Sequence, residues 1–203
     1  MTEDDALAWL RRSFGDGAVD RLQLYVQLLI EENEQQNLIA PATVPTIWAR
    51  HILDSAQLLS LAPRSWGTWL DVGTGAGLPG LVVAILTNGR IWLAEPRARR
   101  VEFLNAVISR FNLSETVVLK ARVESVETGA VDVISARAVA PLDTLLESTS
   151  HLRHSGTRYV LPRGRNAATE IDAAAARWKG VFHVEHSLTD PESLIVVADG
   201  VRA

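Results

Sequence analysis

The chain contains no cysteine. That excludes a disulfide-stapled secreted fold, a thiolate metal centre and any cysteine nucleophile. Lysine is nearly missing: 18 of the 20 basic residues are Arg, and only Lys120 and Lys179 are Lys. Long apolar runs are missing as well. The longest charge-free stretch, 72–89, is interrupted by Gly73, Gly75, Gly77, Pro79, Gly80 and Asn88. A membrane span needs about 20 predominantly apolar residues, so this stretch reads as a buried strand, a glycine loop and a helix. The start, Met1-Thr2-Glu3-Asp4-Asp5, is acidic where a secretory signal would be basic, and no apolar segment follows. A soluble, cytoplasmic protein without a membrane partner is expected.

What is present is an ordinary globular balance: 203 residues, 47% of them hydrophobic, enough for one sizeable core. The net charge of −4 is unevenly spread. Residues 1–34 hold eight acids against three bases, which leaves the remainder at +1. Between Arg137 and Arg165 five Arg face only Asp143 and Glu147, with His151 and His154 nearby. Arg suits bidentate phosphate contacts and stacking on bases. A solvated charged face is the plain alternative, and charge alone does not choose.

The first 62 residues carry helical periodicity. Val19, Leu22, Tyr25, Val26, Leu29 and Ile30 recur on one face, and after a loop over 35–43 so do Ile47, Trp48, His51, Ile52, Ser55, Leu58 and Leu59. From Gly67 onward short apolar runs alternate with helical stretches. Strands are predicted at 68–72, 90–95, 116–121, 131–135 and 157–161, with helices at 81–86, 97–111, 142–152 and 167–178. Two last strands, 181–186 and 193–198, are separated by only six residues, too few for a crossover helix, so they form an antiparallel hairpin. The expected fold is α/β: a Rossmann-like, seven-stranded, mostly parallel sheet (67–203) behind an N-terminal helical extension (1–66).

The most informative segment is Leu70-Asp71-Val72-Gly73-Thr74-Gly75-Ala76-Gly77-Leu78-Pro79-Gly80. Glycines at the carboxyl end of a first strand let the backbone turn sharply into a helix and approach a ligand in the crevice there. Gly75 to Gly80 fits the dinucleotide fingerprint G-x-G-x-x-G, a weak signal by itself. Asp71 ahead of Gly73-x-Gly75-x-Gly77 fits a loop for S-adenosylmethionine, where the acid meets the ammonium of the methionine moiety. Glu95, ending the second strand, suits the ribose hydroxyls of either cofactor. A short-chain dehydrogenase needs a tyrosine with a lysine four residues later. Here Tyr159 is followed by Arg163 and Tyr25 by Leu29, so the methyltransferase reading prevails.

The acceptor is narrowed by further absences. A pyrimidine C5 enzyme needs cysteine. An exocyclic-amine enzyme carries Asn/Asp-Pro-Pro-aromatic after its fourth strand, where this chain reads Ser135-Ala136-Arg137-Ala138-Val139-Ala140-Pro141. An acceptor that owns a free lone pair, such as guanine N7, needs no base. Proximity and in-line aim can then supply ~7–11 kcal/mol of the barrier.

Taken together, these residues resemble the glucose-inhibited division protein B family, the RsmG-type small-subunit ribosomal RNA guanine-N7 methyltransferases. The resemblance runs from about Tyr25 to the end. It rests on Asn37-Leu38-Ile39, Arg50-His51-Ile52-Leu53-Asp54-Ser55, the Asp71–Gly80 loop and Arg100-Val101-Glu102-Phe103-Leu104, together with Ala121-Arg122-Val123-Glu124 and Ser135-Ala136-Arg137-Ala138-Val139-Ala140. It implies methyl transfer from S-adenosylmethionine to N7 of one guanine in 16S ribosomal RNA, near the decoding region, leaving S-adenosylhomocysteine. By position, Gly73 and Leu78 would contact the cofactor, Glu95 its ribose, and Val123 with Glu124 its adenine. Arg137 would stand at the pocket mouth. Arg50, His51 and Asp54 would orient cofactor or guanine, with a local Arg50–Asp54 pair across one helical turn. Arg163 and Arg165, in Pro162-Arg163-Gly164-Arg165, would bind RNA phosphate outside the cofactor pocket. The family commonly has lysine there, and also after the acid ending the second strand, where this chain has Pro96-Arg97. No metal is expected, and a monomer acting on 16S ribosomal RNA or the small subunit is. The rival readings are a methyltransferase for a small molecule, with the N-terminal helices as its lid, and an RNA-binding module without turnover.

Overall fold

The computed structural model describes all 203 residues. Two helices open the chain, α1 (Glu3–Phe14) and α2 (Asp16–Gln36). A capping box starts α1: the Thr2 hydroxyl accepts the Asp5 N–H at 3.1 Å, and the Asp5 carboxylate accepts the Thr2 N–H at 3.2 Å. α2 ends at Asn37, whose left-handed backbone (φ 48°) closes the last turn.

The second amphipathic stretch is helical but irregular. It runs as a 3₁₀ segment (Pro41–Thr46), a π-helical turn (Trp48–Leu53), a single α turn, α3 (Asp54–Ala56), and a closing 3₁₀ turn (Gln57–Ser60). Pro45 has no N–H to give to a regular ladder. The Glu3 carboxylate caps the π turn from outside, taking the N–H groups of Trp48 and Ala49 at 3.0 and 2.8 Å.

Seven strands follow: β1 (Thr68–Val72), β2 (Arg90–Ala94), β3 (Thr116–Leu119), β4 (Val131–Ala136), β5 (Arg153–Arg163), β6 (Lys179–His186) and β7 (Leu194–Arg202). Helices α4 (Gly80–Thr87), α5 (Ala98–Phe111), α6 (Leu142–Ser148) and α7 (Ala167–Ala175) lie between them. The sheet order is β3-β2-β1-β4-β5-β7-β6, with β1 to β5 parallel and β7 antiparallel to both neighbours. The expected architecture is therefore present. The bounds differ at some ends: β5 starts four residues earlier than the pattern suggested, α6 stops at Ser148, and α7 stops at Ala175. Polar residues around His154 and Gly156 obscure the start of β5 in an apolar-run reading.

Alternation along the strands sorts the core into two layers. Trp69, Ile91, Leu93, Val133 and Val160 face a cluster shared with α1, α2, α4 and α5, in which Leu10, Leu22, Tyr25 and Leu29 are fully buried. Leu70, Val72, Ile134, Tyr159 and Leu161 face α6 and α7. Residues 1–66 therefore cover one face of the sheet with apolar contacts. No helix is long and apolar enough to cross a membrane.

Candidate functional site

Because β1 to β4 are parallel, their carboxyl ends share one edge. There the sheet delivers the Gly73–Gly80 loop, Glu95, the Val123–Ser125 turn and Arg137. This is the crevice where ligands of open α/β sheets bind. The loop's shape demands glycine at two positions for different reasons. Gly73 has φ +62°, and a methyl there would meet Val139 at 2.8 Å. At Gly80 a methyl would meet Leu93 at 2.3 Å and the Asp71 side chain at 2.9 Å, so α4 can begin this close to the sheet only without a side chain.

Asp71 does not present itself to the crevice. It has no exposed surface, its Oδ2 accepts the Gly80 N–H at 2.9 Å, and its Oδ1 accepts the Ser135 hydroxyl at 2.7 Å. Ser135 in turn accepts the Trp69 indole N–H at 2.8 Å. Burial pushes the Asp71 carboxyl up to about 6, against the hydrogen bonds that favour its charged form. The expectation that Asp71 meets the cofactor's ammonium is corrected: on the inward-facing side of β1, the carboxylate ties the start of α4 to β4.

Glu95 is also buried, with its side chain 3% exposed. Oε2 accepts the Gly75 N–H at 3.1 Å, Oε1 accepts the Arg97 N–H at 2.9 Å, and the Arg100 guanidinium lies at 3.6 Å. Each oxygen holds one backbone N–H and keeps a second lone pair, which suits the hydroxyls of a ribose. Leu78 is buried within the loop, Val123 is buried beyond β3, and Glu124 beside it is exposed. From the other side, the fully buried Tyr25 on α2 donates its hydroxyl to the Ala76 carbonyl at 2.8 Å, fastening the loop to the N-terminal helices.

A second constellation lies toward β4 and β5, around a cavity of about 500 Å³ lined by Arg50, His51, Asp54, Arg137, Arg163 and Glu170 among others. Arg137 Nη1 donates to His51 Nδ1 at 3.2 Å and lies 3.5 Å from Asp54 Oδ2. A guanidinium can only donate, so Nδ1 is the acceptor and Nε2 carries the imidazole proton. Nε2 lies 2.7 Å from the Thr43 hydroxyl, which itself donates a hydrogen bond to the Ala40 carbonyl at 2.7 Å. Burial, reinforced by Arg137 and Arg50, pulls the His51 pKa down to about 4. His51 is thus a neutral prop for Arg137.

The local Arg50–Asp54 pair does not form. The Asp54 N–H reaches back five residues to the Ala49 carbonyl, and this wider π winding turns the two side chains apart. Arg50 instead pairs with Asp190 at 3.4 Å, and Asp54 with Arg137. Gln57 links Asp54 to Ser187, at 2.9 and 3.0 Å. The contributions of Glu3, Gln57, Ser187 and Asp190 have no sequence signal, because each depends on a contact between distant segments.

Arg163 and Arg165 part company as well. Arg165 is 74% exposed and paired with Glu192 at 2.7 Å, whereas Arg163 is 7% exposed and lines the cavity. Nor do the five Arg of 137–165 make one basic surface. Arg158 is held by Asp199 at 2.8 and 2.9 Å, and Arg153 stacks on Trp178 at 4.8 Å. Cations on the crevice edge without an ion pair are instead Arg97, Lys120 and Arg122, all exposed. No cluster of groups able to hold a metal ion is present.

Comparison with known proteins gives the family and the fold. Residues 18–190 match the GidB family model, described as rRNA small subunit methyltransferase G. The chain is 47% identical over 201 residues to Ribosomal RNA small subunit methyltransferase G of Sphingopyxis alaskensis, covering 98% of this chain and 86% of that one. It is 42% identical over 205 residues to the protein of the same name from Rhizorhabdus wittichii, covering 100% and 94%. Among solved structures, a methyltransferase from Geobacter sulfurreducens superimposes with a TM-score of 0.61 at 10% identity, covering 86% and 87% of the two chains. A SAM-dependent methyltransferase from Aquifex aeolicus gives 0.59 at 16% identity, covering 76% and 92%, a likeness of fold. The chain belongs to the GidB family of small-subunit ribosomal RNA methyltransferases.

Proposed function

We propose that the protein transfers the methyl group of S-adenosylmethionine to N7 of a specific guanine in 16S ribosomal RNA. The observation that carries this reading is the adjacency of two sites on one sheet edge: a glycine loop with a buried ribose-type acid, and a cavity lined by Arg137, Arg163 and a neutral histidine. Glu95, with a free lone pair on each oxygen, would take the ribose hydroxyls. Gly73, Gly75 and Leu78 would shape the methionine side, and Val123 with Glu124 would border the adenine. Bound there, S-adenosylmethionine supplies a methyl group on a sulfonium.

Guanine N7 brings its own lone pair, so no residue has to remove a proton. The geometry agrees: the His51 Nδ1 lone pair is already engaged by Arg137, and the Asp54 carboxylate by Gln57 and Arg137. Arg137 would stand between cofactor and acceptor, held by His51 and Asp54. Aim and proximity then carry the acceleration. Arg97, Lys120 and Arg122 are the exposed cations best placed to meet the RNA backbone, with Arg165 contributing at the other rim. In this reading, residues 1–66 are an extension integral to the 67–203 methyltransferase domain, and the protein acts as a cytoplasmic monomer.

The test is transfer of a labelled methyl group to small ribosomal subunits lacking the modification, with nuclease mapping of the label. Label at one guanine N7 is expected. A small-molecule acceptor is the second reading, favoured by the internal engagement of Arg153 and Arg158. It would be supported by measurable S-adenosylmethionine binding with no label on RNA.

A further inference from the structure

One charged group in the cavity wall is incompletely satisfied. Arg163 stands at the end of β5 with its side chain 7% exposed. Its Nη1 donates to the Ala140 carbonyl and lies 3.5 Å from Glu170 Oε2, but its Nε and Nη2 are buried and have no hydrogen-bond partner. Glu170 divides its attention, since the same Oε2 accepts the Leu142 N–H at 2.9 Å. Burial lowers the Arg163 pKa while leaving the guanidinium charged. Two idle donors on a buried cation are costly, because each loses water without replacement. Such groups are few in native interiors and each calls for an explanation, of which a bound partner is one.

We propose that Arg163 is an oxyanion subsite of the cavity, and that its ligand is the phosphate of the nucleotide presented for methylation. This deepens the functional reading above and rests on it. Nε with one Nη nitrogen is the guanidinium edge that grips two oxygens of a phosphate in parallel. In the conformation seen, neither idle atom opens onto the cavity, so an oxyanion engages them through a turn of the guanidinium that releases the Ala140 carbonyl. The covering segment is suited to yielding: Ala138 sits at φ +54°, in the left-handed region that a residue with a Cβ disfavours, and Val139 is exposed over Gly73.

Position separates this anion from the cofactor's own carboxylate. β5 lies two strands from β1, and strands are spaced about 4.8 Å apart. Glu95 and the Val123–Glu124 turn, the proposed ribose and adenine contacts, lie on the opposite side of β1, after β2 and β3. Arg163 therefore belongs to the acceptor side. Three cations face the cavity, Arg50, Arg137 and Arg163, against Asp54 and Glu170. Of these three cations, only Arg163 has donors that are both buried and unused.

The experiment compares guanosine with guanosine 5′-monophosphate in calorimetric and NMR titrations of the full chain saturated with S-adenosylhomocysteine, following the Arg163 Nε–H resonance. In the wild type the phosphate should improve affinity by roughly ten- to a hundredfold, the value of a charge-assisted pair. Arg163→Met should abolish that advantage, and Arg163→Lys should restore part of it. Both variants should bind S-adenosylhomocysteine as the wild type does. Equal affinity for the two ligands in the wild type, no movement of the Arg163 resonance, or an advantage that survives in Arg163→Met overturns the proposal. A parallel loss of S-adenosylhomocysteine affinity in folded Arg163→Met also overturns it, assigning the guanidinium to the cofactor carboxylate. Because no methyl transfer is read, labelled methyl reaching RNA without a phosphate advantage would defeat this inference and spare the broader one.

Discussion

The two halves of the site are made in opposite ways. In the cofactor half the loop's own contacts are short in sequence: Glu95 accepts from Gly75 and Arg97, and Asp71 accepts from Gly80, while Ser135 and Tyr25 fasten that loop from 64 and 51 residues away. The acceptor half is assembled across the fold. His51 meets Arg137, Gln57 meets Ser187 and Arg50 meets Asp190, spanning 86, 130 and 140 residues of chain. In the first half, backbone amides hold each carboxylate, with Ser135 and Arg100 as the side-chain partners. In the second, side chains hold one another. A backbone scaffold is rigid once its loop closes, whereas a side-chain lattice lasts only while every element carrying it stays docked.

The sharpest way to break this contrast is to remove residues 1–66. Those residues share a core with Trp69 and Leu93 on one face of the sheet and with Leu81, Val82 and Ile85 of α4, and they also carry Arg50, His51 and Asp54. A domain's net stability is only about 5–15 kcal/mol, and each large apolar side chain left uncovered costs roughly 1.5–3 kcal/mol. The fragment 67–203 is expected to show no cooperative thermal unfolding by circular dichroism. A sharp transition would mean that the extension is a detachable lid.

The next effect should be confined to the cofactor half. Glu95→Gln keeps the size of the side chain but removes the charge that meets Gly75, Arg97 and Arg100. S-adenosylmethionine affinity by calorimetry should fall by roughly tenfold or more, the range of a charged hydrogen bond. Arg165→Ala, on an exposed rim, should leave it unchanged. Wild-type affinity in Glu95→Gln would remove Glu95 from the cofactor contacts.

The same contrast explains what could be read from the residues alone. The seven strands, their mostly parallel sense and the closing hairpin follow from alternating apolar runs and a six-residue link; the order, with β7 between β5 and β6, is visible only in the structure. Gly73, Gly75 and Glu95 stand out because a tight turn and an acid at a strand end are local features. Asp71 was recognisable as special, but not its direction: period-two alternation turns it inward with Trp69, and only the pairing with Ser135 fixes its role. Arg153, Arg158 and Arg163 looked like one basic face because sequence shows charge without its partners. Asp199 and Trp178 lie 41 and 25 residues from the arginines they engage. The π turn over Trp48–Leu53 was hidden too, since an apolar stripe looks much the same at either winding.

A smaller effect should appear where the extension grips the loop. Tyr25→Phe removes only the hydroxyl that meets the Ala76 carbonyl inside the core. Losing one buried hydrogen bond costs about 1 kcal/mol. Thermal denaturation should register that loss with the cofactor pocket otherwise intact. A loss of several kcal/mol would show that this one bond holds the loop in place, and the backbone scaffold would then be less self-sufficient than its local contacts suggest.

The smallest expected effect is the most discriminating for the acceptor half. The folded protein resists protonating His51 until about pH 4, while an unfolded histidine takes a proton near 6.5. The stabilising contribution of neutral His51 is therefore complete above pH 6.5 and is lost as pH falls toward 4. Asp71 works the other way: raised to about 6, it favours the folded state most at low pH and less as pH climbs from 3.8 to 6. The two slopes oppose each other over the same window, so the melting temperature is a poor reporter. The His51 Cε1–H shift by NMR reads one group. Its midpoint should lie about pH 4, rise in Arg137→Gln, and rise less in Arg50→Gln, because Arg137 is the larger of the two charge contributions after burial. A midpoint near 6.5 would mean that His51 is neither buried nor bonded to Arg137, and that the lattice around the cavity opens in solution.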